Sequence, residues 1–73
     1  MRRISQEEFE KQLMERKPGE RLRFNELELW DMDLSGKDLS NMDFGLSSFQ
    51  NTVLNQVDFR GSSVENALFD GCP

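Results

Sequence analysis

Residues 27–45 read LELWDMDLSGKDLSNMDFG, and this stretch carries a large apolar residue at every fifth position. The four residues are Leu29, Leu34, Leu39 and Phe44. An α-helix has about 3.6 residues per turn and a β-strand alternates its side chains, so neither element repeats every five residues. The spacing therefore indicates an internal repeat whose unit is five residues long.

The repeat extends over ten blocks, from residue 22 to residue 71. The central residue of every block is large and apolar, and the ten are Phe24, Leu29, Leu34, Leu39, Phe44, Phe49, Leu54, Phe59, Val64 and Phe69. The residue before the centre is polar in eight blocks. The residue two after the centre is Asp, Asn or Gly in seven blocks, and these residue types tolerate tight turns. Each block is therefore predicted to hold three extended residues, which alternate between inside and outside, followed by a corner.

Four such sides would close a square coil of twenty residues. Parallel coils would stack about 4.8 Å apart through backbone hydrogen bonds. Central residues twenty positions apart would then lie above one another, in the columns Phe24–Phe44–Val64, Leu29–Phe49–Phe69, Leu34–Leu54 and Leu39–Phe59. The spacing of five thus predicts one core residue on each side of a square.

The blocks MDLSG, KDLSN, MDFGL, VDFRG and ALFDG closely resemble the units of the pentapeptide-repeat family. The resemblance covers residues 22–71 and implies an all-β solenoid, a right-handed quadrilateral β-helix of about 2.5 coils, here with a short N-terminal α-helix. Lys37 departs from the family pattern at an inward position, and Met32 and Met42 stand where small residues are usual. We expect this end of the solenoid to be widened and covered by the helix, with Lys37 reaching outward past it.

Residues 1–21 are predicted to form a capping helix and linker, and residues 22–73 the repeat domain. The charge divides the chain in the same way. Residues 1–21 hold six Lys/Arg and five Glu, a net charge of +1, whereas residues 22–73 hold three Lys/Arg and nine Asp/Glu, a net charge of −6. The acidity of the repeat segment argues against direct nucleic-acid binding.

The start of the N-terminal helix has two sequence signals. Ser5 followed by Glu8 fits a capping box, and Ile4 with Phe9 fits a hydrophobic staple. A helix of about 12 residues should follow and lie against another surface, because it is too short to be stable alone.

The end of this helix is marked as well. Arg16 and Lys17 are predicted to close its last turn with positive charge, and Pro18-Gly19 to end it.

The composition favours a cytoplasmic protein without enzymatic activity. No apolar run approaches the roughly 18 residues of a membrane span, no secretory signal is visible at the start, and the single cysteine allows no internal disulfide. There is no His, no Tyr and no phosphate-binding loop, so we predict no catalytic site, cofactor or metal. The stretch DMDLSGKD resembles the start of a calcium loop, but Met42 stands where the loop needs a bidentate Glu.

The first hypothesis for function rests on the acidic surface, for which solvation is the simpler explanation. Its predicted partner-binding residues are Asp31, Asp33, Asp38, Asp43 and Asp58. Over the roughly 12 Å rise of the predicted coils, duplex DNA carries about seven charges. The resemblance adds that some pentapeptide-repeat proteins mimic DNA on bacterial topoisomerases. We therefore predict a protein-binding module that mimics DNA and inhibits or shields a nucleic-acid-handling enzyme, such as a topoisomerase-like target or a nuclease or defence complex.

The second hypothesis is a passive interaction scaffold. Trp30 follows a block centre and should face outward or lie at a corner, with Leu46 and Leu68 bordering the same side of the square. An exposed Trp is a common interface anchor, and the alternative is that Trp30 rests under the N-terminal helix. Both placements stay open at this point.

The C-terminal blocks predict self-association. Nothing in the sequence after Gly71 seals the last coil, and Phe69 should lie near its rim. Repeat arrays need capped ends, and an open strand edge invites pairing. A two-fold homodimer joined at the C-terminal coils, with Leu68 and Phe69 in the interface, would cover both rims.

Overall fold

The structure is a computed structural model that describes all 73 residues, 1–73. It contains one α-helix and four short β-strands, namely β1 (Arg2–Arg3), α1 (Gln6–Met14), β2 (Leu27–Trp30), β3 (Ser48–Gln50) and β4 (Leu68–Asp70). The strands form one parallel sheet in the order β1-β2-β3-β4, so β1 and β4 are its edges. The predicted parallel, solenoid-like stacking is therefore present.

Within the repeat segment, pairing joins residues that are twenty positions apart. Leu29 pairs with Phe49, and Phe49 with Phe69, in the register of β2, β3 and β4. Four isolated bridges outside these strands keep the same offset, and they are Arg23–Asp43, Asp43–Ser63, Asp33–Val53 and Asp38–Asp58. The five-residue repeat thus returns to the same register after four blocks.

The corners confirm the period residue by residue. All ten residues that stand two after a block centre have a left-handed backbone, with φ between 52° and 76°. They are Glu26, Asp31, Gly36, Asn41, Leu46, Asn51, Gln56, Gly61, Asn66 and Gly71. Seven of them are residue types that tolerate this region, whereas Glu26, Leu46 and Gln56 adopt it at a steric cost.

The first six block centres, from Phe24 to Phe49, are buried in the core as predicted, whereas Val64 and Phe69 of the last blocks are exposed. Phe24 and Phe44 stack with ring centres 5.6 Å apart, and Phe49 and Phe69 stack at 4.8 Å with their planes only 3° apart. Phe9 of α1 is fully buried, and its ring centre lies 4.7 Å from that of Phe24. The helix therefore packs onto the N-terminal end of the aromatic column.

Three inward hydroxyls stabilise the corners from inside. Thr52 Oγ1 donates to Leu29 O at 2.7 Å and accepts from the N–H of Met32 at 3.3 Å. Ser47 and Ser62 occupy the equivalent position in their blocks and bridge two backbone groups in the same way. These small polar residues satisfy backbone groups that the turning chain cannot pair with itself.

The N-cap of α1 follows the prediction, since Ser5 Oγ accepts from the N–H of Glu8 at 3.1 Å, whereas the Glu8 carboxylate accepts from Gln12 rather than from Ser5. The end of α1 does not follow the prediction, because the helix stops at Met14 after nine residues. The prediction that Arg16 and Lys17 close its last turn was wrong. Arg16 instead donates to Ser40 O at 3.1 Å, which satisfies a backbone carbonyl of the repeat segment.

The N-terminal segment completes the hydrogen bonding of the first blocks. The N–H of Ile4 donates to Glu28 O at 3.2 Å, which continues the pairing of β1 with β2. The side-chain amide of Gln6 donates to Asp33 O at 2.8 Å and accepts from the N–H of Asp33 at 3.0 Å. Together with Arg16, these groups make the hydrogen bonds that the backbone of a preceding block would make. The sequence did not indicate this replacement.

The three residues that depart from the repeat pattern also lie near the N-terminal end of the repeat segment. Met32 and Met42 are buried. Lys37 reaches α1 rather than passing it, because its Nζ lies 3.6 Å from Glu10 Oε1. A half-buried lysine beside the helix is thereby paired.

Candidate interaction surfaces

Four of the five predicted acidic contact residues hold turns. The carboxylates of Asp33, Asp38, Asp43 and Asp58 each accept from the backbone N–H two residues later, at 2.9–3.0 Å. The hydroxyl of Ser35 also donates to Asp33, at 2.6 Å. These are Asx turns, which let a carboxylate fix the corner that follows it. The same geometry holds each carboxylate in one orientation on the surface.

These hydrogen bonds favour the ionised carboxylates. The Arg60 side chain, then its backbone N–H, lowers the pKa of Asp58 from 3.8 to about 2. The Ser35 hydroxyl and N–H lower the pKa of Asp33, and those of Ser40 do the same for Asp38. For Asp43 the N–H of Gly45 and the Asn25 side chain lower the pKa. Donors to a carboxylate stabilise its charged form.

Basic side chains accompany all four of these acids, since Lys37 adds to the lowering of the pKa of Asp33. Arg60 binds Asp58 at 2.8 Å through a fork of two hydrogen-bonding nitrogens, and Arg16 lies 3.8 Å from Asp38. Arg21 and Arg23 add to the lowering of the pKa of Asp43. By contrast, Asp31, Glu65 and Asp70 make no ion pair. The negative charge of the repeat surface is therefore balanced locally at the turn-forming acids and unbalanced at Asp31, Glu65 and Asp70.

Trp30 lies on the outer face of the sheet and is half-buried. Its Nε1 donates to Ser48 Oγ at 3.0 Å, and the guanidinium of Arg3 lies 4.3 Å from its ring centre. Arg3 also lies 3.8 Å from Glu28. The contacts that hold the indole thus come from β1 and β3, and a cation covers part of the ring.

Leu46 and Leu68 line a groove that does not include Trp30. The groove has a volume of about 860 Å³, and its lining also contains Met1, Arg2 and Leu27. Leu46 is 48 % exposed and Leu68 is 65 % exposed. Leu68 nevertheless lies on the same outer face of the sheet as Trp30, because it pairs with Ser48, whose hydroxyl accepts from the indole.

The two ends of the repeat segment differ in burial. We call the exposed apolar residues Val64, Leu68 and Phe69 the C-terminal rim. Phe69 is 47 % exposed, although the residue above it in its column, Phe49, is fully buried. The N–H of Gly71 and the C=O of Ala67 take part in no hydrogen bond. At the other end Phe9 covers the column.

The rim contains both residues predicted for a dimer interface, Leu68 and Phe69. Self-association through them stays a prediction. The sequence predicted an open strand edge at this end, but not the exposure of Val64. The turn role of the acids had a signal, because Asp33-Leu34-Ser35 and Asp38-Leu39-Ser40 are typical of Asx turns.

No helix of the structure has the length and apolar composition that crossing a membrane requires. No group of three or more His, Cys, Asp or Glu side chains is arranged to hold a metal ion. The single cysteine, Cys72, is a free thiol whose Sγ lies 3.5 Å from Phe49 O.

Comparison with known proteins gives one result. A family model described as pentapeptide repeats, in eight copies, matches residues 23–61 and 38–72, which together span more than half of the sequence. No curated protein and no solved structure matches the chain. The matched residues are those in which the structure shows the five-residue corners.

Proposed function

Because the chain belongs to the pentapeptide-repeat family, we propose that it is a protein-binding module whose contact surface is the C-terminal rim. Proteins of this family are generally structural or interaction modules without enzymatic activity. The proposal rests on one observation, the difference between the sealed N-terminal end and the exposed rim.

The N-terminal end of the repeat segment is covered by residues from the segment that precedes it. Gln6 and Arg16 satisfy its backbone groups, and Phe9 covers its core. At the rim, Phe69 and the backbone of Gly71 have no such cover. An array of repeats is stable in water when both ends are covered, so a partner bound at the rim would supply what the N-terminal segment supplies at the other end.

The architecture that goes with this proposal is a right-handed quadrilateral β-helix of about 2.5 coils. Parallel pairing at an offset of twenty residues supports it, and crossovers between parallel strands are right-handed in nearly all proteins. The C-terminal rim then belongs to the last coil of the β-helix, which has no further coil stacked on it.

A matched pair of variants tests the rim. Leu68→Ser removes an exposed apolar side chain of the rim, and Met14→Ser removes one on α1 that is 87 % exposed. We expect a protein captured from cell lysate by the tagged wild-type chain to be lost with Leu68→Ser and retained with Met14→Ser. Circular dichroism of both variants checks that the fold is kept. Equal capture by both variants would disprove a contact at the rim.

A second candidate is the DNA mimic on the acidic surface, acting on a nucleic-acid-handling enzyme such as a topoisomerase-like target or a nuclease or defence complex. The observation that favours it is the fixed orientation of four carboxylates, whose turn bonds lower the pKa and keep the charge. Fixed charges bind a basic groove with less loss of side-chain freedom than mobile ones. The cations beside Asp38 and Asp58 act against this candidate.

Competition distinguishes the two candidates. A partner bound to the acidic surface should be released by excess duplex DNA and by raised salt, because screening weakens contacts between exposed charges. A partner held at the apolar rim should resist both washes. The double variant Asp38→Asn with Asp58→Asn should weaken only the first kind of binding.

Three sequence-based expectations remain predictions. They are the scaffold contact through Trp30, the homodimer through the C-terminal coil, and a cytoplasmic location. Trp30→Ala would weaken binding if the indole makes the contact, and the half-buried position beneath Arg3 argues for a smaller effect than that of Leu68→Ser.

A further inference from the structure

We propose that the partner which binds the C-terminal rim is a short extended segment of another protein, with a large apolar residue followed directly by Lys or Arg. This segment adds to β4 as a fifth, parallel strand of the sheet. The inference rests on the proposed function, since it names the partner for the same rim.

The unpaired backbone groups of the rim define where that strand lies. Where β3 and β4 pair, the N–H of Leu68 donates to Ser47 O, and the N–H of Asn51 donates to Asp70 O, both at 2.9 Å. The groups that would repeat this pattern are Ala67 C=O, as acceptor, and Gly71 N–H, as donor. A parallel strand in the existing register engages both, which is the strand-addition mode of peptide recognition.

The register then specifies an apolar residue in the partner. Phe49 and Phe69 pair in β3 and β4, and their rings stack at 4.8 Å. The partner residue that pairs with Phe69 lies against the face of the Phe69 ring that points away from Phe49. Phe69 is 47 % exposed. A large apolar side chain there extends the column by one member and removes the ring from water.

The next residue of the partner pairs with Asp70. The charges around Asp70 favour a basic side chain at this position. Residues 61–73 contain Glu65 and Asp70 but no Lys or Arg. The nearest preceding cation, Arg60, is held by Asp58 at 2.8 Å. A basic residue in the partner strand therefore meets an unbalanced carboxylate, whereas a second copy of this chain would bring two such acidic ends together.

The opposite edge of the same sheet carries a comparable strand, in which the basic residues precede the apolar one. β1 is a basic dipeptide that pairs in parallel with β2, and Ile4, which follows it, is buried. Arg3 faces outward, 3.8 Å from Glu28 and stacked on Trp30. Strand β1 thus combines an ion pair on the outside with an apolar residue on the inside, as we propose for the partner.

Titration of the full ¹⁵N-labelled chain with two synthetic peptides tests the inference. The first is acetyl-Ser-Val-Phe-Lys-Gly-amide, and the second has Glu in place of Lys. We expect the Lys peptide to bind at least about tenfold more tightly, to shift the amide signals of Phe69 and Gly71, and to slow hydrogen exchange at Gly71. Asp70→Asn should abolish the preference for Lys. Asp31→Asn is the matched control, because Asp31 is also exposed and unpaired and Asn tolerates its backbone, and it should leave the preference intact.

Three results would overturn the inference. Both peptides could bind equally, Asp70→Asn could leave the preference unchanged, or neither peptide could bind. In the last case, sedimentation equilibrium that shows a dimer at the titration concentration would assign the rim to a second copy. If lysate capture still depends on Leu68 while both peptides fail, the proposed function stands and only the partner chemistry is wrong.

Discussion

The side-chain amide of Gln6 makes two hydrogen bonds to the backbone of Asp33, one as donor at 2.8 Å and one as acceptor at 3.0 Å. Val53 lies twenty residues after Asp33 and pairs with it in the next coil, and there the N–H of Val53 donates to a backbone group, Met32 O. A single side chain therefore replaces both the donor and the acceptor of a missing strand, and this links α1 to the first blocks.

Gln6→Ala should lower the free energy of unfolding by about 1–2 kcal/mol, because each net hydrogen bond contributes about 0.5–1.5 kcal/mol. Urea unfolding followed by circular dichroism measures this change. The control is Gln12→Ala, which removes only a bond to Glu8 within the helix. Equal losses in the two variants would show that the bonds to Asp33 contribute nothing specific.

Leu46→Asn should raise the free energy of unfolding by about 1 kcal/mol, because it relieves left-handed strain and loses little apolar burial. Leu46 has φ 62° and is 48 % exposed. Asn already occupies three equivalent corners, at residues 41, 51 and 66. Leu68→Asn, on an exposed strand residue without positive φ, should give no gain. A gain of the same size there would point to exposure rather than the backbone as the cause.

Thr52→Val should destabilise the fold by about 1–3 kcal/mol, although it keeps the shape of the side chain, because buried groups left without a partner are costly. The valine cannot donate to Leu29 O or accept from the N–H of Met32. Thr52→Ser keeps the hydroxyl and should recover most of the loss. Denaturant midpoints of the three chains give the comparison, and a serine variant as unstable as the valine one would contradict it.

The carboxyl group of Asp58 should titrate at about pH 2, because its pKa is lowered from 3.8 by Arg60. Since the pKa in the folded chain is lower than in the unfolded chain, the stabilising contribution is complete above about pH 4 and is lost as the pH falls towards about 2. Carbon-detected NMR of the side chain measures the midpoint. Arg60→Gln should move it up towards 3.8, and an unchanged midpoint would exclude Arg60 as the cause.

The repeat could be predicted because its signal recurs in every block. Ten central apolar residues indicated the core, and seven corner residues of suitable type indicated the left-handed corners. Even the exceptions, such as Leu46, follow the period, since the neighbouring blocks impose the corner on a residue that does not favour it. Regular spacing thus outweighs local preference here.

The ends of the solenoid could not be predicted in the same way. Strand β1 has two residues, and Gln6 and Arg16 act through side chains that reach 27 and 24 positions along the sequence. Such contacts produce no periodic pattern in the sequence. The acidic surface was identified by charge alone, and its turn bonds depend on a local pattern of Asp and Ser that a count of charges does not contain.

Of the two ends of the repeat segment, the covered one is synthesised before the exposed one. Backbone pairing in the repeat segment reaches back about twenty residues, so each new block can pair with a segment that has already been synthesised. Folding limited by distant contacts is slow for a chain that starts fully unfolded. Once the first blocks have emerged, Phe9 can pack on Phe24 and Gln6 can bond Asp33, and growth of the sheet can then follow the direction of synthesis.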